Sequence, residues 1–186
     1  MEQNELLRYT IDTFETLGIS YLIGGSLASS AYGEPRMTND IDILIDLKPE
    51  HLPGLLEKFD PNEFYVDAET VHQALFSDGQ FNIIHPSSGY KIDLFVCGQD
   101  PFTSSEMARR RRLEAPDGAH AFFASPEDVI LKKMEYFKMG ESERQFRDIV
   151  GVIRVQGGQL DRDYIGRWAL ELGLTKVWEA ILKRIE

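Results

Sequence analysis

The chain holds 186 residues, 42% of them hydrophobic, with a formal net charge of −11, enough for one sizeable core and a small appended module. Its longest apolar runs, IDILI and KIDLFV, are strand-length and broken by charge, which excludes a membrane helix of roughly 20 apolar residues. The acidic, polar start MEQNELLRYT reads unlike a signal peptide, so cytoplasmic residence is expected.

Residues 121–186 carry 11 basic and 11 acidic side chains, so the whole negative excess falls in residues 1–120. Two modules, 1–120 and 121–186, are expected. Net acidity disfavours nonspecific attraction to nucleic acid. Against it stands Arg109 to Arg112, a run that reads either as solvated surface or as an anion contact. A single cysteine, Cys97, excludes an internal disulfide, and His51, His72, His85 and His120 are too scattered for zinc.

Along the chain, the spacing of Leu6, Leu7, Ile11, Phe14 and Leu17 predicts a helix over 4–17 that stops at Gly18. Tyr21-Leu22-Ile23 reads as a short buried strand. Gly24-Gly25-Ser26 breaks it, and a short helix follows over 27–32 with Ser26 as a candidate N-cap. A strand is expected around Asp40 to Ile45, then a helix from Pro49 to Phe59 with proline in its first turn. Phe64-Tyr65-Val66, Phe81 to Ile84 and Lys91 to Val96 read as strands, the last two joined in a hairpin by Pro86-Ser87-Ser88-Gly89. From Ser125-Pro126-Glu127-Asp128 onward the pattern is helical, over about 129–139, 142–155, 161–170 and 175–185, with glycines between. The class is α+β, with a mixed or antiparallel sheet flanked by helices and a C-terminal helical subdomain.

Alternation puts Asp40, Asp42, Leu44 and Asp46 on one face of their strand and Ile41, Ile43 and Ile45 on the other. Lys91, Asp93 and Phe95 likewise share a face opposite Ile92, Leu94 and Val96. If the two strands are neighbours, three carboxylates meet. Such an oxygen cluster suits Mg²⁺, which takes carboxylates together with substrate phosphates, and two such ions could hold the attacking and leaving oxygens of a phosphoryl displacement. A solvated polar face is the alternative. Gly24-Gly25-Ser26 is either a tight strand-to-helix turn or a phosphate cradle at a helix N-terminus.

The order strand, GGS turn, helix, Asp-Ile-Asp strand and later Asp strand resembles the DNA polymerase β-type nucleotidyltransferase superfamily. Arg36-Met37-Thr38-Asn39 ahead of Asp40-Ile41-Asp42 is similar to the R-x-T-x-D-I-D of stand-alone bacterial members and abortive-infection toxins. The segment from Ser125 through Lys132-Lys133 to Arg147-Asp148 is similar to the helical part of those toxins. The resemblance implies an enzyme that moves a nucleoside monophosphate from a nucleoside triphosphate, ATP among the candidates, to an acceptor hydroxyl, with two Mg²⁺ ions. By position Asp40, Asp42 and Asp93 would be catalytic metal ligands and Lys133, a better match than Lys132, catalytic. Gly24, Gly25, Ser26, Arg36, Thr38 and Asp148 would bind the nucleotide. The basic residue that follows the serine in many minimal members is replaced by Leu27 and Ala28. The acceptor is left open between a tRNA end, a protein hydroxyl and a small molecule, an antitoxin partner is possible, and a nucleotide-binding or toxin-like partner protein without transfer is the alternative. Asp148 reads equally as half of a salt bridge to Arg144 one turn back, and Arg36 is either an anion ligand or half of a stabilising pair.

Overall fold

The computed structural model describes residues 1–115, 118–140 and 142–185. In chain order they form α1 (Gln3–Leu17), β1 (Tyr21–Ile23), α2 (Gly25–Tyr32), β2 (Asp40–Ile45), α3 (Leu52–Lys58), α4 (Ala68–Ser77), β3 (Gln80–His85), β4 (Tyr90–Val96), α5 (Pro101–Arg109), β5 (Arg111–Glu114), β6 (His120–Phe123), α6 (Pro126–Gly140), α7 (Glu143–Gln156), α8 (Arg162–Glu171) and α9 (Thr175–Ile185). Two compact units result, Met1–Ile23 with Thr38–Phe123, and Gly24–Met37 with Ala124–Glu186. The expected division into 1–120 and 121–186 therefore needs one correction. Residues 24–37 lie with the C-terminal helices, because α2 buries Ser26, Ala28, Ser29 and Tyr32 and packs on α6 and α7.

The first unit carries a six-stranded mixed sheet in the order β3-β4-β2-β1-β6-β5. Its Asp-Ile-Asp strand β2 runs antiparallel to β1 and parallel to β4. The apolar side chains at alternate positions are buried: Ile41, Ile43 and Ile45 on β2, Ile92 and Leu94 on β4, Phe81 and Ile83 on β3. That continuous apolar face receives α1 and α4, with Phe14 of α1 packed on Tyr21 at a ring separation of 5.9 Å. α1 opens with a reciprocal capping box between Glu2 and Glu5 and stops at Gly18, whose φ of 70° lies in the left-handed region.

Three local expectations are revised. The predicted helix from Pro49 to Phe59 splits into a 3₁₀ turn at Pro49–His51 and α3. Phe64 to Val66 contributes one isolated bridge, Tyr65 to Ile84, not a strand. α4 and α5 appear where no helix is predicted; each starts at an aspartate cap, Asp67 and Asp100, whose carboxylate accepts a backbone amide.

In the second unit α2 packs on α6 and α7, and α8 on α6 and α9. Gly33 at the end of α2 allows the closest approach, since a Cβ there would stand 2.8 Å from the Val152 amide nitrogen and 2.9 Å from the Ser29 carbonyl oxygen. Asp128, fully buried, is held by hydroxyls from Ser125 and Tyr164, each at 2.6 Å.

Candidate active-site residues

On the first unit the carboxylates fall where strand register puts them. β2 and β4 pair in parallel with Asp42 opposite Asp93 and Asp40 opposite Lys91, so all four side chains stand on one face, about 4.8 Å apart between strands. It is the face opposite the buried isoleucines. Asp40 is exposed at the strand start while Asp42 and Asp93 are half-buried. Thr38 turns its hydroxyl to the Asp40 amide at 3.2 Å, which fixes the entry to β2. Asp93 is engaged from two sides. The Lys91 ammonium bonds both its oxygens, at 3.0 and 2.8 Å, and the Asn82 amide, oriented to satisfy its neighbours, donates to Oδ1 at 2.8 Å. The hydrogen bond to Asp93 raises the pKa of Lys91 against the burial that lowers it, and the charges of Asp93, Asp40 and Asp42 add to the rise. Three acids thus act on one cation.

Among the described residues no three carboxylate, imidazole or thiol groups form a ready-made metal cage. The donor set nevertheless fits a hard divalent ion, being all carboxylate oxygen on neighbouring strands, and a positive group already stands on it.

The second unit holds the other predicted residues. Gly24 caps α2, and Gly25, at φ 54°, takes a left-handed conformation suited to glycine. Ser26 is not the N-cap: the helix begins one residue earlier, so the serine lies in the first turn. Its Oγ accepts a hydrogen bond from Arg36 Nη2 at 2.5 Å. The Arg36 guanidinium also grips Asp148 through Nε and Nη2, both at 2.9 Å, and Lys133 Nζ reaches the same carboxylate at 2.7 Å. Asp148 is thus paired with Arg36 and Lys133, which answers the expectation of a bond to Arg144 by giving it longer-range partners. Burial raises the Asp148 pKa, but the hydrogen bonds from Arg36 and Lys133, with their charges, outweigh it and hold the carboxyl below its ordinary value. Arg36 and Lys133 thus meet on Asp148, with Arg36 also on Ser26 in the first turn of α2, and a helix N-terminus favours anions.

The two lysines of the doublet differ in burial. Lys133 has 5% of its side chain exposed and bridges Asp148, whereas Lys132 is 44% exposed and pairs with Glu135 one turn on. Sequence reasoning misses Lys91, Asn82 and Gln145, whose Oε1 accepts from Lys133 at 3.3 Å. For Lys91 the signal is present, two residues before Asp93 and therefore on its face. The arginine run divides: Arg109 ends α5, Arg111 and Arg112 lie on β5, and Arg110 stacks over Phe122 with its Nη1 on the Met107 carbonyl.

No protein-family profile matches the chain, and no curated protein matches it in sequence. Solved structures do match. An antigenic nucleotidyltransferase-like protein from Paracoccidioides brasiliensis superposes with a TM-score of 0.59 at 19% identity, covering 98% of this chain and 92% of that one. The ANT(2″)-Ia complex with adenylyl-2″-tobramycin gives 0.55 at 14%, covering 98% of both chains. The lincosamide antibiotic adenylyltransferase LnuA, bound to lincomycin, gives 0.54 at 14%, covering 80% and 95%. The fold is that of these nucleotidyltransferase and nucleotidyltransferase-like structures.

Proposed function

We propose that the protein transfers a nucleoside monophosphate from a nucleoside triphosphate to a hydroxyl of a small molecule, releasing pyrophosphate. The carrying observation is the register that sets Asp42 opposite Asp93 with Asp40 on the same face. A row of acids has no packing use there, because like charges at such distances repel by roughly 1 kcal/mol per pair even in water. Asp40, Asp42 and Asp93 would hold Mg²⁺. Bound there, the ion supplies the positive charge that lets phosphates approach carboxylates and that stabilises the attacking and leaving oxygens.

The remaining work belongs to the chain's own groups. Asp93, with two oxygens on the reacting face, accepts the proton of the acceptor hydroxyl. On the second unit the first amides of α2 and the Ser26 hydroxyl bind phosphate oxygens, and the cations Arg36 and Lys133 offset the triphosphate. Asp148 orients both cations. A small acceptor is favoured over a tRNA end by the acidity of residues 1–120. It is favoured over a protein hydroxyl by likeness to enzymes that adenylylate or bind antibiotics.

The test is incubation with each α-labelled nucleoside triphosphate, Mg²⁺ and a panel of aminoglycosides, lincosamides and other polyhydroxylated compounds. Label should move to an acceptor in Mg²⁺ and not in EDTA, and Asp42→Asn should abolish transfer. Nucleotide binding without transfer to any acceptor, including cell extract, would make the protein a binding module.

A further inference from the structure

We propose that Lys91 is a resident counter-ion of the carboxylate row, competing with divalent metal for Asp93 so that the row stays closed to free metal ions. The inference rests on the metal-binding role assigned above to Asp40, Asp42 and Asp93, and adds to it a residue that this role does not require.

Three placements carry it. Lys91 stands directly across the strand pair from Asp40, two residues before Asp93 on the same face, and diagonal to Asp42. Its ammonium uses both Asp93 oxygens, at 2.8 and 3.0 Å, and the Asn82 amide occupies Oδ1 from the other side at 2.8 Å. A metal ligand with both oxygens so engaged must release a partner to coordinate. Asn82, carried by the neighbouring strand, is a neutral donor and can remain. Lys91 is the group that has to leave, since a dication and an ammonium repel at one carboxylate.

The lysine is built for that exchange. Its side chain is 43% exposed while Asp93 is 18% exposed, so the long stem can swing the charge into water at little cost, and the acid stays in place. An arginine would hold both oxygens by a planar fork and yield less readily. While the ion pair is closed, the competent fraction of the site is small and the apparent metal affinity falls in proportion. Metal arriving with a triphosphate brings its own negative charge, which offers the displaced ammonium a new partner. Free metal brings none. The row would thus discriminate metal–nucleotide from metal alone.

The experiment titrates Mn²⁺ into the full chain without nucleotide, at constant ionic strength, and reads free Mn²⁺ by its electron paramagnetic resonance signal. Lys91→Gln should bind Mn²⁺ about tenfold more tightly than the unaltered protein, and Lys91→Arg no more tightly than it. In thermal melts Lys91→Gln should lose stability without metal and regain more on adding Mn²⁺ than the unaltered protein does. Asp42→Asn should abolish uptake in either background. Equal or weaker Mn²⁺ binding by Lys91→Gln, with uptake still dependent on Asp42, would overturn the role of Lys91 and leave the metal row standing. No uptake by any form, with or without nucleotide, would overturn both.

Discussion

Replacing Asp148 by asparagine removes a negative charge that Arg36 and Lys133 share. Three charge-assisted hydrogen bonds end on it, two at 2.9 Å from Arg36 and one at 2.7 Å from Lys133, and the Asp148 and Lys133 side chains are 7% and 5% exposed. Breaking a buried pair from one side costs about 3–5 kcal/mol, since the surviving charge is left uncompensated. Asparagine keeps one acceptor oxygen but turns an amide donor toward a cation. The lower end of that range applies, about 3 kcal/mol, because Arg36 retains 25% exposure and can recruit water. For a chain of this length 1 kcal/mol shifts Tm by about 2–4 °C, so Asp148→Asn should melt about 6–12 °C lower. The pH response has a definite sign. The Asp148 carboxyl titrates below its ordinary value of 3.8 in the folded protein, so the unfolded chain takes up the proton first as pH falls. Its contribution is complete well above pH 3.8 and is lost as pH drops through the depressed folded value. Melting curves from pH 7 to pH 3 on the unaltered protein, Asp148→Asn, Lys133→Met and Lys132→Met measure this. The separation between unaltered protein and Asp148→Asn should narrow at the acid end, and Lys132→Met should cost less than about 1 kcal/mol. Unchanged stability in Asp148→Asn, or equal damage from the two lysine variants, would refute the buried-cluster reasoning.

Asp93→Asn removes a half-exposed ion pair and should shift unfolding by no more than about 1 kcal/mol, while nucleotide transfer falls at least about 100-fold; a fully active variant would remove Asp93 from the site. Gly33→Ala forces a methyl to within 2.8 Å of the Val152 nitrogen and should cost about 1–3 kcal/mol in chemical denaturation, so a neutral result would show that α2 and α7 can part freely. Tyr164→Phe leaves the buried Asp128 short of one hydroxyl donor at 2.6 Å and should destabilise by about 1.5–3 kcal/mol, measured by urea unfolding. Burial, then the charges of Asp46, Glu106 and Asp100, push the Cys97 thiol up to about 12, so iodoacetamide at pH 8 should label the folded protein far more slowly than the urea-unfolded chain.

What could be read from the sequence divides along a physical line. The parity of Asp40, Asp42 and Asp93 against their isoleucine and leucine neighbours is local, and β2 and β4 follow it into register. The helices after Pro126 announce themselves by long apolar periods and acid-rich starts. α4 does not, because it buries only Val71 and Ala74, too little for a periodic signal, and α5 was hidden by a polar sequence although Asp100-Pro101 is a helix start. β5 and β6 are four residues each, and the arginines of β5 masked a strand at the sheet edge. Ser26 shows how a two-residue shift in a helix start, from Leu27 to Gly25, moves a side chain from capping to pairing. Asp148 shows the larger limit. Its partner Arg36 is 112 residues away, and a helical wheel reports only neighbours one turn apart.

The chain leaves the first unit at Gly24, returns at Thr38 and completes the second only after residue 124. During synthesis α2 therefore emerges long before α6 and α7, the helices that cover it. At about 5–20 residues per second the ribosome needs about 6–25 seconds to make the intervening chain, and for that time the buried face of α2 has no cover. The Arg36–Asp148 pair spans 112 residues, so its closure reports that the chain has been delivered as far as α7. A premature stop after the sheet would leave a fragment bearing an orphaned helix, and proteases that patrol nascent chains would have a clear mark to find.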